Sequence, residues 1–310
     1  MKQLFTLLLL VGTLNGFSAI HTVSNTPSTL AQFNTIQAAV TAAAGGDTIY
    51  VHGSPNPYAA FTQSSKQLTI IGPGWAPDKN LPFTAQVLGF TVTGATCANS
   101  EYQGLVIAGN STITINNAKP DNLRFIRNHF VNGSISINQA NTTYTGYLFE
   151  GNIFDNASVD ANGTSTYQNF IFQNNSFFEN GTVRDGNFNG FSNSINVLFN
   201  HNLWYGAGSG VRNIATSNNN RFLTFVNNIF VRRNASSSIS SSTYNNNITF
   251  YPAGSAAPAI PWTANSNVDG GGNVDNQDPQ MANQAAVNAG TASSISDFTI
   301  VAGPANNTGS

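Results

Sequence analysis

Charge is the scarcest commodity in this chain: only 8% of its 310 residues are Asp, Glu, Lys or Arg, and the formal net charge is -2. Such a neutral surface has neither the basic field that phosphate backbones and anionic lipids require nor the acidic field that draws polycations. Nucleic acid is therefore excluded as an electrostatic partner. Cysteine is nearly missing as well, and a single Cys97 cannot form an internal disulfide. No Cys/His or multi-His spacing of the kind that holds a metal occurs, and no cofactor motif is present, so neither a metal nor a cofactor is expected. The one long apolar run, Leu4 to Leu14, is too short to span a bilayer. It follows Met1 and Lys2 and leads into Gly16, Phe17, Ser18 and Ala19, the pattern of a secretory signal peptide over residues 1–19. The mature chain is thus expected to be secreted or held at the cell surface, with no membrane span.

Low charge alone is compatible with disorder, but 40% hydrophobic content and 22 Phe argue against it. The Phe residues are placed in register. Five times the chain repeats an apolar residue, any residue, Phe, two residues, Asn, one residue and an aromatic. The copies are Leu123-Phe125-Asn128-Phe130, Tyr147-Phe149-Asn152-Phe154, Phe170-Phe172-Asn175-Phe177, Val197-Phe199-Asn202-Trp204 and Leu223-Phe225-Asn228-Phe230. Successive first Phe residues lie 24, 23, 27 and 26 residues apart. That spacing is one supersecondary unit per repeat, the signature of a solenoid.

Alternation of period two within each copy, over four to eight residues between Asn/Gly/Ser clusters, makes the unit a strand and not a helix. The fold expected is all-β, a parallel β-helix in which the repeated aromatics stack inside. Asn128, Asn152, Asn175, Asn202 and Asn228 form a turn ladder, because a carboxamide both donates and accepts and Asn tolerates left-handed turns. Before the coil, Phe33 to Ala44 carries apolar residues at helical spacing (Phe33, Ile36, Val40, Ala43) and stops at Gly45-Gly46, which predicts a short helix capping the open end. The resulting division is a cap over 20–46, coils over 47–265 and an irregular C-terminal segment over 266–310.

Ile36-Gln37-Ala38-Ala39-Val40, then Gly46-Asp47-Thr48-Ile49-Tyr50-Val51 and Leu68-Thr69-Ile70-Ile71-Gly72, resemble the N-terminal cap and first coil of secreted bacterial right-handed parallel β-helix proteins of the pectin-lyase-like superfamily. The Phe/Asn repeat is similar to that superfamily's coil repeat. The tail, Asp278-Pro279-Gln280-Met281 with Asp297-Phe298-Thr299-Ile300 and Gly303-Pro304-Ala305, resembles the terminal segment of such proteins in the Bacteroidota, where a sorting domain often follows. The resemblance implies a right-handed coil and an exported protein. It is specific for fold and not for activity.

Enzymes of that superfamily cleave acidic polysaccharides on the outer coil face, but the segments expected of its galacturonan hydrolases and pectin methylesterases are missing here. The remaining candidates are Arg124, Arg127 and His129 on one coil with Glu150 and Asp155 on the next, where stacked positions recur at about 4.8 Å. An Arg/Glu pair there is either a base with its orienter or a surface ion pair. His201 reads as a turn residue. For binding, Phe178 and Tyr205 are expected as adjacent outward aromatics suited to sugar rings, with Arg184 and Asp185 in the loop between them; a folded-over loop would bury them instead. A second outward stripe, Leu148, Ile171 and Leu198, calls for a cover or a partner. The function expected is a non-catalytic exported protein of the cell surface or matrix, acting in adhesion, glycan contact or self-assembly, with a polysaccharide lyase or hydrolase as the alternative.

Overall fold

The computed structural model describes residues 18–75, 83–116, 119–137, 139–179, 186–208, 210–215, 220–255, 257–293 and 295–301. They wind into a parallel β-solenoid of about ten turns. One sheet of eleven strands runs its whole length, from Ile20–Val23 and Thr48–Val51 to Thr243–Asn245 and Val268–Gly271. A sheet of eight strands (from Gln86–Val87 to Ile248–Phe250) and one of six (from Phe61–Gln63 to Phe188–Asn189) form the other main walls. Pairing is in register from turn to turn: Phe125 lies opposite Phe149, Phe149 opposite Phe172, and Phe172 opposite Phe199.

Register follows from what the repeat buries. Phe125, Phe149, Phe172, Phe199 and Phe225 are completely buried. Their rings stack in one column, with centroid separations of 5.2, 4.5, 4.5 and 4.9 Å. A second column, Phe130, Phe154, Phe177 and Trp204, rises from the eight-stranded sheet at 4.8, 4.8 and 3.9 Å. A slip of one residue in any strand would turn these rings to solvent, so the aromatics hold the register as well as the core.

Between the two columns the chain turns a corner, and there the Asn ladder runs. Asn128, Asn152, Asn175, Asn202 and Asn228 are all 2% exposed or less. Each carboxamide nitrogen donates to the next Asn oxygen and to a strand carbonyl, as Asn175 does to Asn202 at 3.0 Å and to Phe149 at 2.9 Å. The ladder is longer than five rungs: Asn247 and Asn273 continue it. The left-handed conformation belongs not to the ladder Asn, as expected, but to the residue before it. Arg127, Gly151, Asn174, His201, Asn227, Asn246 and Gly272 all have φ between 51° and 71° there. The preceding residue makes the bend, which frees the ladder Asn to keep a negative φ and direct its amide to the next turn.

The predicted cap is a helix, α1 (Ile36–Ala42), capped at its N-terminus by the Thr35 side chain. It is shorter than the Phe33–Ala44 expected, because Ala43 is already extended. Residues 20–46 are more than a cap: Ile20–Val23 pairs with Thr48–Val51 and starts the long sheet. At the other end Val268–Gly271 carries that sheet past residue 265. The signal-peptide reading falls largely on residues 1–17, outside the described residues, as does Gly303-Pro304-Ala305.

Candidate functional site

The Arg/Glu constellation does not assemble. Arg124 lies in register with Glu101 and Leu148, and its Nη1 pairs with Glu101 Oε2 on the preceding turn at 3.1 Å. Glu150 lies opposite Ile126, two residues further along the strand. Alternation puts both residues outward as expected, but the parallel register offsets them, so the Arg124–Glu150 pairing is corrected to Arg124–Glu101. Arg127 is exposed in the left-handed corner position. His129 belongs to the neighbouring sheet and packs against the Trp75 ring at 5.5 Å; burial pushes its pKa down to about 4. His201 takes the left-handed corner with φ 53°.

Asp155 is different. It lies in the outward column of the eight-stranded sheet, in register with Val131 on one side and Phe178 on the other, and the column continues through Tyr205, Val231 and Phe250. Phe178 and Tyr205 do point away from the coil interior. They are not an open platform, however: of the two outcomes expected, cover by a folded-over segment is the one found, and that segment is the C-terminal tail instead of a loop. Residues 281–293 and 295–301 fold back over the column, through an antiparallel bridge between Met281 and Ile300, a short helix α2 (Gln284–Ala289) and a single turn at Ile295–Phe298. Phe298 contacts Phe178 and Tyr205 with ring centroids at 5.1 and 4.8 Å, and Tyr205 is left 1% exposed. The physical reason is the column itself: Tyr205, Val231 and Phe250 are contiguous apolar surface, and the tail supplies Met281, Val287, Ala292 and Phe298 to cover it. Arg232 pins this strap, donating from Nη1 to the Gly208 carbonyl at 2.8 Å and from Nη2 to the Asn288 carbonyl.

Where the strap stops short, a cleft of about 160 Å³ remains, lined by Asp155, Phe178, Glu179, Tyr205, Ala207, Ala292 and Ser293. Burial raises the pKa of the Asp155 carboxyl above its ordinary value. Asn156 donates to Asp155 Oδ1 at 3.1 Å. The Tyr205 hydroxyl is buried, with the Ala292 backbone against it. Nothing in the sequence marked Glu179 or Ser293; only the return of the tail brings Ser293 beside the coil. Arg184 and Asp185 lie outside the described residues.

The remaining stripe stays open. Leu148, Ile171 and Leu198 stand in register on the outer face of the eleven-stranded sheet, partly exposed, and pack into neither hydrophobic cluster of the described residues. Beside them runs a second column, Ile126, Glu150, Gln173, Asn200, Val226 and Asn245. Together these columns make a strip of aliphatic and carboxamide groups, with the Glu150 carboxylate among them, that recurs once per turn.

Among the described residues no helix is long and apolar enough to cross a membrane, and no group of three or more His, Cys, Asp or Glu is placed to hold a metal ion. Compared with known proteins, the chain matches no family model, no curated protein and no solved structure.

Proposed function

We propose that the chain is an exported, non-catalytic β-solenoid of the cell surface or extracellular matrix, whose open strip on the long sheet binds extended, uncharged glycan. The observation that carries this reading is the contrast between two outward faces. The chain's own tail covers the apolar column of the eight-stranded sheet, while the Leu148–Ile171–Leu198 stripe is left open. Aliphatic side chains there meet the C–H faces of sugar rings, and Gln173, Asn200 and Asn245 can both donate to and accept from hydroxyls. Groups recur about every 4.8 Å along the axis, so a polymer lying along the solenoid meets the same pair of columns repeatedly. Glu101 and Arg124 neutralise each other and Glu150 adds a carboxylate to the strip, which favours a neutral polymer over an acidic one.

Export is supported by the N-terminal pattern of Met1 to Ala19. A right-handed coil and membership of the pectin-lyase-like superfamily go with the same reading: parallel strands in one sheet joined by crossovers are almost always connected right-handedly. Retention on insoluble neutral and acidic polysaccharides, for the parent chain and for an Ile171→Glu/Leu198→Glu variant, tests the proposal. Retention on a neutral polymer that the double variant loses is expected. Equal retention of both proteins, or retention on acidic polymers alone, would sink it.

A further inference from the structure

Asp47 sits where the chain enters the coil, one residue before the strand Thr48–Val51, and is 5% exposed. Its Oδ2 accepts from the Ala44 backbone N–H at 2.7 Å and meets His21 Nε2 at 3.0 Å. Its Oδ1 accepts from the Ala19 backbone N–H at 2.8 Å. Among the described residues neither Lys nor Arg pairs with it. A carboxylate this enclosed is ordinarily matched by a fixed cation. We infer that this cation is the N-terminus of the processed chain: the leader is cut between Ser18 and Ala19, and the α-ammonium of Ala19 pairs with Asp47. The inference rests on the proposed export of the chain, to which it adds the processing site and the fate of the end created there.

Sequence and fold place the cut independently. In the sequence, Gly16 and Ser18 are the small residues that leader cleavage uses three positions and one position before the scissile bond. In the fold, the long sheet already begins at Ala19, whose carbonyl accepts from the Thr48 N–H at 2.9 Å just before Ile20–Val23 pairs with Thr48–Val51. A cut one residue later, at the end of a leader spanning 1–19, would strip Thr48 and Asp47 of these partners together. A cut after Ser18 gives up an exposed hydrogen bond, from Ser18 Oγ to the Gly46 carbonyl at 2.7 Å.

The chemistry is a hydrolysis carried out by a leader peptidase of the exporting cell. Water adds across the Ser18–Ala19 peptide bond: its oxygen goes to Ser18, which leaves as a carboxylate, and both its protons go to the Ala19 nitrogen, which becomes an ammonium. The nitrogen that gave Asp47 a neutral hydrogen bond then gives a charge-assisted one from the same place. Cleavage thus completes an ion pair that the precursor lacks, and the pair anchors the first strand of the eleven-stranded sheet at the end where a chain terminus would fray.

The test exports the full chain, with its own leader, from a bacterial host and identifies the first residue of the exported protein by N-terminal sequencing and intact mass. Ala19 is expected. The exported protein is then acylated near neutral pH with an N-hydroxysuccinimide ester, and the rate at the α-amine is followed by mass spectrometry of the N-terminal peptide. Asp47→Asn should raise that rate about threefold, the size of a partly exposed ion pair. Inserting one alanine after Ser18 moves the amine off the carboxylate while keeping Asp47, and should raise the rate as much. The insertion also keeps the test decisive if Asp47→Asn fails to fold. An exported protein that begins at any other residue, or equal acylation of the parent and the insertion variant, would overturn the inference and leave export standing. A chain that keeps its leader would overturn export as well.

Discussion

The side-chain oxygen of Asn175 accepts two hydrogen bonds from Asn152, one from the backbone N–H at 2.9 Å and one from the carboxamide at 3.0 Å. Asn175 in turn donates to the Phe149 carbonyl at 2.9 Å and to Asn202. Each rung therefore satisfies buried groups on three turns. Asn175→Ala leaves those partners buried and unpaired and is expected to cost about 2–4 kcal/mol. Asn273→Ala, at the partly exposed end of the ladder, should cost less, since water can reach the groups it abandons. Chemical denaturation of both variants measures the difference, and equal losses would contradict the ladder's role.

Phe222 is a second point of tension. It occupies a left-handed position, φ 58°, with its ring 56% exposed, while the corresponding corner on preceding turns is taken by Asn169 and Asn196. A bulky side chain in that conformation is strained, and little burial offsets it. Phe222→Asn is expected to stabilise the fold by about 0.5–1 kcal/mol, raising the midpoint of urea unfolding. A lowered midpoint would show that the ring has a packing role the exposure does not reveal.

Acid should weaken the fold before the carboxylates titrate. His129 is held neutral, with its pKa pushed down by burial to about 4, whereas an unfolded His takes its proton near pH 6.5. Between those values only the unfolded chain binds the proton, so stability is full above about pH 6.5 and falls as pH drops toward 4, by roughly 3 kcal/mol in all. His129→Ile, which matches Ile153 on the next turn, should flatten this slope. The check is the pH dependence of unfolding free energy in the two proteins.

The strap makes its own prediction. Phe298→Ala removes the ring that covers Phe178 and Tyr205, and should expose the column and loosen residues 281–301 while the coil stays folded. Protease cleavage within that segment should accelerate, at a loss of about 3 kcal/mol or less because the site is at the edge of the core. Unchanged cleavage would mean that other contacts, such as Arg232 to Asn288, hold the strap unaided.

How far the sequence could be read depended on the kind of constraint involved. The solenoid was legible because the same physical demand recurs every 23 to 27 residues, at Phe149, Phe172, Phe199 and Phe225 alike. Asn247 was within reach too, three residues after Tyr244, had Tyr been admitted in place of Phe. The left-handed corner was harder, since Arg, Gly, Asn and His all fill it and only the backbone reveals the shared conformation. The Arg124–Glu150 pairing failed because alternation tells which face a side chain takes but not its partner across the ladder.

Composition and period by themselves determined that this protein coils, what fills its core and what turns its corners, because those are local demands repeated on every turn. Tertiary structure alone decided which outward faces remain available. The tail lies more than seventy residues from Tyr205 along the chain, and its return covers one apolar column, leaves another open and closes a cleft around Asp155. No local pattern encodes that choice, since it rests on contacts between one end of the chain and the middle, made once.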